Sequence, residues 1–276
     1  MPSDIFDTCL GKYKYRNTVS YYRFHSLLGE LWKMRGFSVT KAGLQVLREV
    51  AARLPRSWQS ELKRLHYRHR IRRGTFCSDE PEFSILSRLV TSGDWVIDIG
   101  ANVGFYTKRL AELVGPDGRV LAFEPVPETF ALLTGNLAVC GFTNVTLFNT
   151  AVSEGSNLVG ISVPDYSNTS QLNYYQAHLT SLADSSLRIL TVSVDSVQIP
   201  EKVKLIKIDA EGHEYSVLKG MQNTLLRDRP ILIIEAPHGE TRELLESLGY
   251  INTTLHESPN VVFHSNDVPL QDLKKS

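Results

Sequence analysis

Five short runs of apolar, β-forming residues, at 95–99, 120–123, 145–148, 203–208 and 231–234, constrain this chain more than any other feature. Each is nearly continuous in apolar character, as a strand buried on both faces must be. Helical stretches separate them at 103–114, 128–139, 214–226 and 240–247. Strands alternating with helices predict an α/β fold with a parallel, doubly wound sheet covered on both faces. After the last helix, 250–255 and 260–264 flank Glu257, Ser258 and Pro259, which predicts an antiparallel hairpin at the sheet edge. The segment 152–194 departs from the alternation: it is long and polar, and strand-like only at 158–163 and 188–194. It is expected either to cover a crevice or to form a β-extension with no role toward a ligand.

The first strand runs into a Gly-rich turn and then a helix, as VIDIGANVGFYT over 96–107. Asp98 ends the strand, and Gly100, Asn102 and Gly104 follow at alternate positions, a backbone shape expected to let a nucleotide-like ligand approach with no Cβ in the way. A phosphate-binding loop needs Lys and Ser or Thr after its last Gly, where Phe105 and Tyr106 stand, so ATP is disfavoured. A dinucleotide fingerprint needs Gly where Asn102 and Phe105 fall, which weakens NAD and FAD. What remains is the G-x-G-x-G pattern of S-adenosylmethionine sites with Asn in the middle, a residue that tolerates left-handed geometry. An ordinary strand-to-helix turn with spare glycines is the competing reading.

Acids at the ends of later strands narrow the choice. Glu124, 26 positions beyond Asp98, ends the second strand. In a doubly wound sheet an acid there shares a crevice with the Gly-rich turn and accepts both ribose hydroxyls; the alternative is that it caps the helix beginning near Pro127 and Glu128. The fourth strand ends in LIKIDAEGHE, over 205–214, which crowds Asp209, Glu211, His213 and Glu214 around Gly212. Open α/β sheets place reacting groups at this end of their strands. The blander account makes Glu211 and Glu214 helix-start residues that complement the macrodipole, with His213 merely exposed. Glu235 and His238 close the fifth strand and are expected to reach the same crevice.

With 276 residues, 42% hydrophobic, the chain has enough apolar material for one full α/β core with an extension. No run of eighteen apolar residues occurs, and Asp4, Asp7, Lys12 and Lys14 stand where a secretory segment would need apolar residues, so a cytoplasmic protein is expected. Cys9, Cys77 and Cys140 are scattered and odd in number, consistent with reduced thiols. The zero net charge conceals a split: residues 1–75 hold 16 Lys and Arg against 5 Asp and Glu, leaving 14 against 25 in the remainder. The organisation expected is a basic, helical N-terminal extension or cap over 1–75 and a catalytic domain over 76–276, with helices at 19–34, 40–54 and 57–72. Thr40 and Ser57 suit N-caps, and Gly36 and Gly74 suit stops. The stretch KRLHYRHRIRR at 63–73 would meet a phosphate, an acidic glycan, RNA or, peripherally, an anionic membrane face; otherwise it is a solvated helix face. No aromatic-interleaved module surrounds it, so nucleic acid is the less favoured partner.

The successive motifs VIDIGANVGFYT, FEPVPETFALLTGN (123–136) and LIKIDAEGHEYSVLKG (205–220) resemble those of the FkbM family of S-adenosylmethionine-dependent methyltransferases, in order over roughly residues 80 to 250. The resemblance implies a class I methyltransferase fold, Rossmann-like, with a mostly parallel seven-stranded sheet. It also implies O-methylation of a hydroxyl on a sugar, glycan or polyketide-like product. By the same resemblance Asp98, Gly100, Asn102, Gly104 and Glu124 serve the cofactor, and Asp209, Glu211, Gly212, His213 and Glu214 form the reaction loop. Ala210 stands where the family often has a bulkier aliphatic residue. A methyl displacement leaves one chemical task to the protein, removal of the hydroxyl proton. His213 is the first candidate for it and Asp209 the second, with Glu211 orienting the base or binding acceptor hydroxyls. A divalent cation bridging Asp209 and Glu211 is conceivable, but two carboxylates alone are weak evidence for metal. An RNA methyltransferase using the basic N-terminus and a non-catalytic cofactor-binding module are the alternatives; the intact acidic loop counts against the latter.

Overall fold

The computed structural model describes residues 55–266 apart from 164, 167–170, 173–176, 182–184 and 186. The helices expected at 19–34 and 40–54, with Thr40, Gly36 and Cys9, lie outside those residues. The chain divides into two compact units, residues 1–66 and 67–276. That division falls inside the first described helix, α1 (Arg56–Arg72), ahead of the expected boundary after residue 75. In the second unit Tyr67 packs edge-on against Phe76 and Phe105, and Gly74, at φ +70°, ends the helix as expected.

The expected strands are present almost residue for residue. They are β1 (Trp95–Ile99), β2 (Arg119–Phe123), β3 (Val145–Phe148), β10 (Val203–Ile208), β11 (Ile231–Glu235), β12 (Tyr250–Thr254) and β13 (Asn260–Ser265), joined in the order β12-β13-β11-β10-β1-β2-β3. β1, β2, β3, β10 and β11 are parallel. β13 runs antiparallel between β11 and β12, so the terminal hairpin closes one edge of the sheet.

Strand alternation sorts the core into two layers. Ile97, Ile99, Phe123, Ile206, Ile208, Leu232 and Ile234 face one side, where they bury Val217 and Leu218 of α5 (Glu214–Lys219) and Leu225 of α6 (Gln222–Asp228). Their neighbours Val96, Val120, Ala122, Leu205, Ile231 and Ile233 face the other, against Leu86 and Leu89 of α2 (Pro81–Leu89), Leu110 of α3 (Phe105–Val114) and Leu133 of α4 (Pro127–Cys140). Full burial of each such side chain stabilises the fold by about 1.5–3 kcal/mol, which is why these short runs hold the sheet register. The last helix, α7 (Gly239–Ser247), adds Leu245 to the first layer.

Two local differences from the sequence reading have physical causes. The single helix expected over 214–226 is two, broken at Gly220 and Met221. A Cβ on Gly220 would overlap the carbonyl oxygen of Ser153, so the chain turns there to let a neighbouring segment pass. The short helix α2, absent from the sequence reading, starts on Pro81 and presents Ile85, Leu86 and Leu89 at helical spacing.

The irregular segment is a small β-unit. β4 (Ala151–Val152), β5 (Leu158–Ser162), β8 (His178–Thr180) and β9 (Leu187–Val192) pair in the order β4-β9-β5-β8, beside a two-residue pair, β6 (Asp165–Tyr166) and β7 (Gln171–Leu172). Val126, Ala151, Ile161 and Ile189 form a core of its own.

Candidate active site

The carboxyl ends of β1, β2, β10 and β11 converge, and the turn after β1 has an unusual backbone. Gly100, Asn102 and Gly104 have φ of +77°, +51° and +96°, so three residues within five are left-handed. A Cβ on Gly100 would overlap the Asp209 carbonyl oxygen, and one on Gly104 would stand 2.7 Å from Leu133 Cδ1. The missing Cβ atoms make room for the protein's own chain. The close approach at Gly100 places the loop after β10 directly against the turn, and the Asp209 amide donates to Ile99 O at 3.0 Å.

Glu124 is 5% exposed and ties the turn to β2. Its Oε2 accepts from the Asn102 amide at 2.8 Å and its Oε1 from the Val126 amide at 2.9 Å. Burial pushes its pKa up to about 7, against the lowering effect of those two amides. Each carboxylate oxygen keeps a second lone-pair direction for a hydroxyl. Asp98 is fully buried; its Oδ2 accepts from Thr107 Oγ1 at 2.6 Å, and burial raises its pKa although Lys207 opposes the shift. Asp98 Oδ1 and Asn102 Oδ1 are buried and have no hydrogen-bond partner among the described residues. Two orphaned acceptors beside a pinned carboxylate suit a ligand that is cationic and carries both O–H and N–H donors, as S-adenosylmethionine does.

Asp209 belongs to a cluster the sequence reading did not assemble. Lys207 sits mid-strand, 4% exposed, across from Asp98 in the register of β1 and β10, and its Nζ donates to Asp209 Oδ2 at 2.7 Å. The same ammonium lies 5.0 Å from the ring centroid of Tyr106, whose hydroxyl donates to Glu80 Oε2 at 2.6 Å. Burial disfavours the Lys207 charge, yet the carboxyls of Asp209, Glu80, Asp98 and Glu235 together hold its pKa above the ordinary value. At the end of β11, the hydrogen-bonding and charge influence of the Asp209 carboxyl, with burial, raises the pKa of Glu235. The available sign in the sequence was a lysine inside an apolar strand two positions before an acid, which puts both side chains on one face.

His213 points elsewhere. It precedes α5, its Nε2 lies 2.9 Å from Ser153 Oγ, and burial lowers its pKa although Glu214 and Glu154 oppose this. Ser153 and Glu154 follow β4, and Glu154 pairs with Lys219 at 2.7 Å, so the β-unit docks on α5 and the loop before it. Glu211 and Gly212 are both left-handed, at φ +49° and +93°, and exposed. Glu214 is buried beneath them; its Oε1 accepts from the Gly212 amide at 3.0 Å and from the Ala210 amide at 3.3 Å. It shapes the loop from inside. No group of three or more His, Cys, Asp or Glu side chains with metal-binding geometry occurs among the described residues.

Part of the basic run is engaged in holding the chain's own turn: Arg70 donates to the carbonyls of Thr75 and Cys77 and lies over Phe105. Cys77 and Cys140 are free thiols, and no described helix is long and apolar enough to cross a membrane.

The profile of the "Methyltransferase FkbM domain" matches residues 98–251, from Asp98 to the start of β12. A hexuronic acid methyltransferase, AglP, of Haloferax volcanii is 33% identical over 136 residues, which cover 48% of this chain and 52% of that protein. A protein-L-isoaspartate O-methyltransferase of Ignicoccus hospitalis is 38% identical over 64 residues, 23% of this chain and 29% of the other. The chain thus spans about half the length, or less, of these curated relatives. Among solved structures, a methyltransferase FkbM from Methylobacillus flagellatus KT superposes with a TM-score of 0.48 at 21% identity, covering 67% of this chain and 50% of that one.

Proposed function

The chain belongs to the FkbM methyltransferase family, and from that premise we propose that it methylates a hydroxyl oxygen of a sugar, glycan or polyketide-like acceptor. S-adenosylmethionine, when bound, supplies the methyl group on a sulfonium that is already a strong electrophile. Glu124 takes the ribose hydroxyls, and Asp98 Oδ1 and Asn102 Oδ1 take the remaining donors. One observation carries the assignment of chemistry: Asp209 is held by Lys207 at the carboxyl end of β10, against the Gly100 turn, and Lys207 is the register partner of Asp98. Asp209 therefore receives the proton that the acceptor hydroxyl loses. His213, bonded to Ser153 on the other side of the loop, holds that loop in place and is the second candidate for the base. Glu211, exposed in the loop, binds acceptor hydroxyls. The name of the archaeal relative, a hexuronic acid methyltransferase, supports a sugar-type acceptor.

Two experiments test this reading. Purified protein is incubated with methyl-labelled S-adenosylmethionine and fractionated cell glycans, lipids and RNA, and label is expected in a glycan or small-molecule fraction. Label in RNA alone would overturn the acceptor class. Asp209→Asn should lower kcat by about 10²–10⁴ with cofactor affinity nearly kept, and His213→Ala should cost less. The reverse ranking would move the base to His213.

A further inference from the structure

Lys207 is 4% exposed, so its ammonium has little water around it and must be held by the protein. Asp209 does so directly, accepting from Nζ at 2.7 Å. Other carboxyls act on the same charge: Asp98 from β1, Glu235 from β11, and Glu80 and Glu82 at the start of α2. Three of these are met by neutral hydroxyls. Thr107 Oγ1 donates to Asp98 Oδ2, Ser258 Oγ to Glu82 Oε2, and the Tyr106 hydroxyl to Glu80 Oε2, each at 2.6 Å.

Tyr106 also meets the ammonium itself. Its ring centroid lies 5.0 Å from Lys207 Nζ, inside the roughly 6 Å over which a ring face attracts a cation. The ring is fixed in turn by α2, where Phe83 meets it edge-on at 5.2 Å and 86°. Tyr106 thus contacts an ammonium through its face and a carboxyl through its hydroxyl, two groups of opposite charge that attract strongly where water is scarce.

We propose that Tyr106 is a positioning residue: its ring takes the Lys207 ammonium and its hydroxyl takes Glu80, which keeps Glu80 from drawing Lys207 away from Asp209. The next residue, Thr107, holds Asp98, so the first turn of α3 fixes Asp98 and the Lys207–Asp209 pair together. The bearing of this inference on catalysis rests on the reading of Asp209 given above, but the arrangement is testable without an acceptor.

Nuclear magnetic resonance near neutral pH, on protein isotope-labelled at lysine Nζ and at the carboxyl carbons, reports through hydrogen-bond scalar coupling which carboxylate holds Lys207. In the natural protein Lys207 Nζ should couple to the Asp209 carboxyl. In Tyr106→Leu that coupling should fall about twofold or more, with a new coupling to Glu80. Adding Glu80→Gln to Tyr106→Leu should restore the coupling to Asp209, whereas Glu80→Gln alone should change it little. An Asp209 coupling unchanged by Tyr106→Leu would overturn the proposal. So would a loss that Glu80→Gln does not restore, which is what general damage to the packing would give. Should Tyr106→Leu fail to fold, Tyr106→Phe keeps the ring and frees only Glu80. It should show a smaller loss of coupling, again restored by Glu80→Gln, and no loss would sink the idea. Turnover then separates this inference from the one beneath it. On the cell fraction that takes label, kcat should follow the same order as the coupling. If the coupling follows that order and kcat does not, Tyr106 stands as the holder of Lys207 while Asp209 is removed as the base.

Discussion

At the scale of single residues, the turn after β1 separates two roles that a glycine pattern merges. Gly100 and Gly212 both have positive φ, but only Gly100 lies against backbone: its Cβ would overlap the Asp209 carbonyl, whereas nothing stands within 4 Å of a Cβ on Gly212. Gly212→Ala should therefore cost only the left-handed strain of about 1–2 kcal/mol. Gly100→Ala should cost clearly more, because backbone cannot give way as a side-chain end does, and it should also displace Asp209. Urea unfolding of the two variants, read at constant m, checks the order. Glu124 is tested separately. Glu124→Gln removes the charge from an acceptor that anchors Asn102 and Val126 and, in our reading, the ribose; cofactor affinity should fall about 10- to 100-fold, as measured by calorimetry.

Among elements, the sheet was readable in the sequence because its strands are buried on both faces, and a run such as 231–234 is apolar at every position whichever layer each residue faces. The hairpin was readable because Glu257, Ser258 and Pro259 punctuate it. The docking of the β-unit was not readable. It depends on Gly220, Ser153 and His213, which are remote in sequence, and each has a routine local explanation. The Lys207 cluster was hidden for a similar reason: a lysine in an apolar run reads as an interruption until Asp209 is seen bonded to it. Asp98, Glu124 and Asp209 could be found from strand-end position alone, whereas the choice of partner for each required the third dimension. The docking carries its own prediction. Gly220→Ala forces a Cβ into the Ser153 carbonyl and should lever the β-unit from the loop, so limited proteolysis within 152–192 should accelerate. Ser153→Ala, which removes only the bond to His213, should change cleavage far less. Equal cleavage of Gly220→Ala and the natural protein would show that the unit does not depend on this contact.

For the molecule as a whole, the acids gathered at one end of the sheet set how stability responds to pH. Glu124 has a folded pKa of about 7 against an ordinary value of 4.5, because burial penalises its charge. A carboxyl raised in this way binds more protons folded than unfolded between those two values. Its contribution is fully present below about pH 4.5 and is lost as pH climbs through about 7, a change on the order of 3 kcal/mol. Asp98, Glu82 and Glu235 are shifted in the same direction and add to the loss. His213 acts oppositely: its pKa is lowered by burial, so below its ordinary 6.5 the unfolded chain binds the extra proton and stability falls toward acid. The cofactor-free protein should accordingly be most stable in mild acid, with Tm declining from about pH 6 to pH 8. Glu124→Gln should flatten that decline, since an amide has no charge to bury. Saturating S-adenosylmethionine should also flatten it, because a cation bound only by the folded state favours the ionised acids. Thermal scans across that range, with and without cofactor, decide the matter, and a Tm that rises with pH in the cofactor-free protein would mean that these carboxyls are ionised without cost.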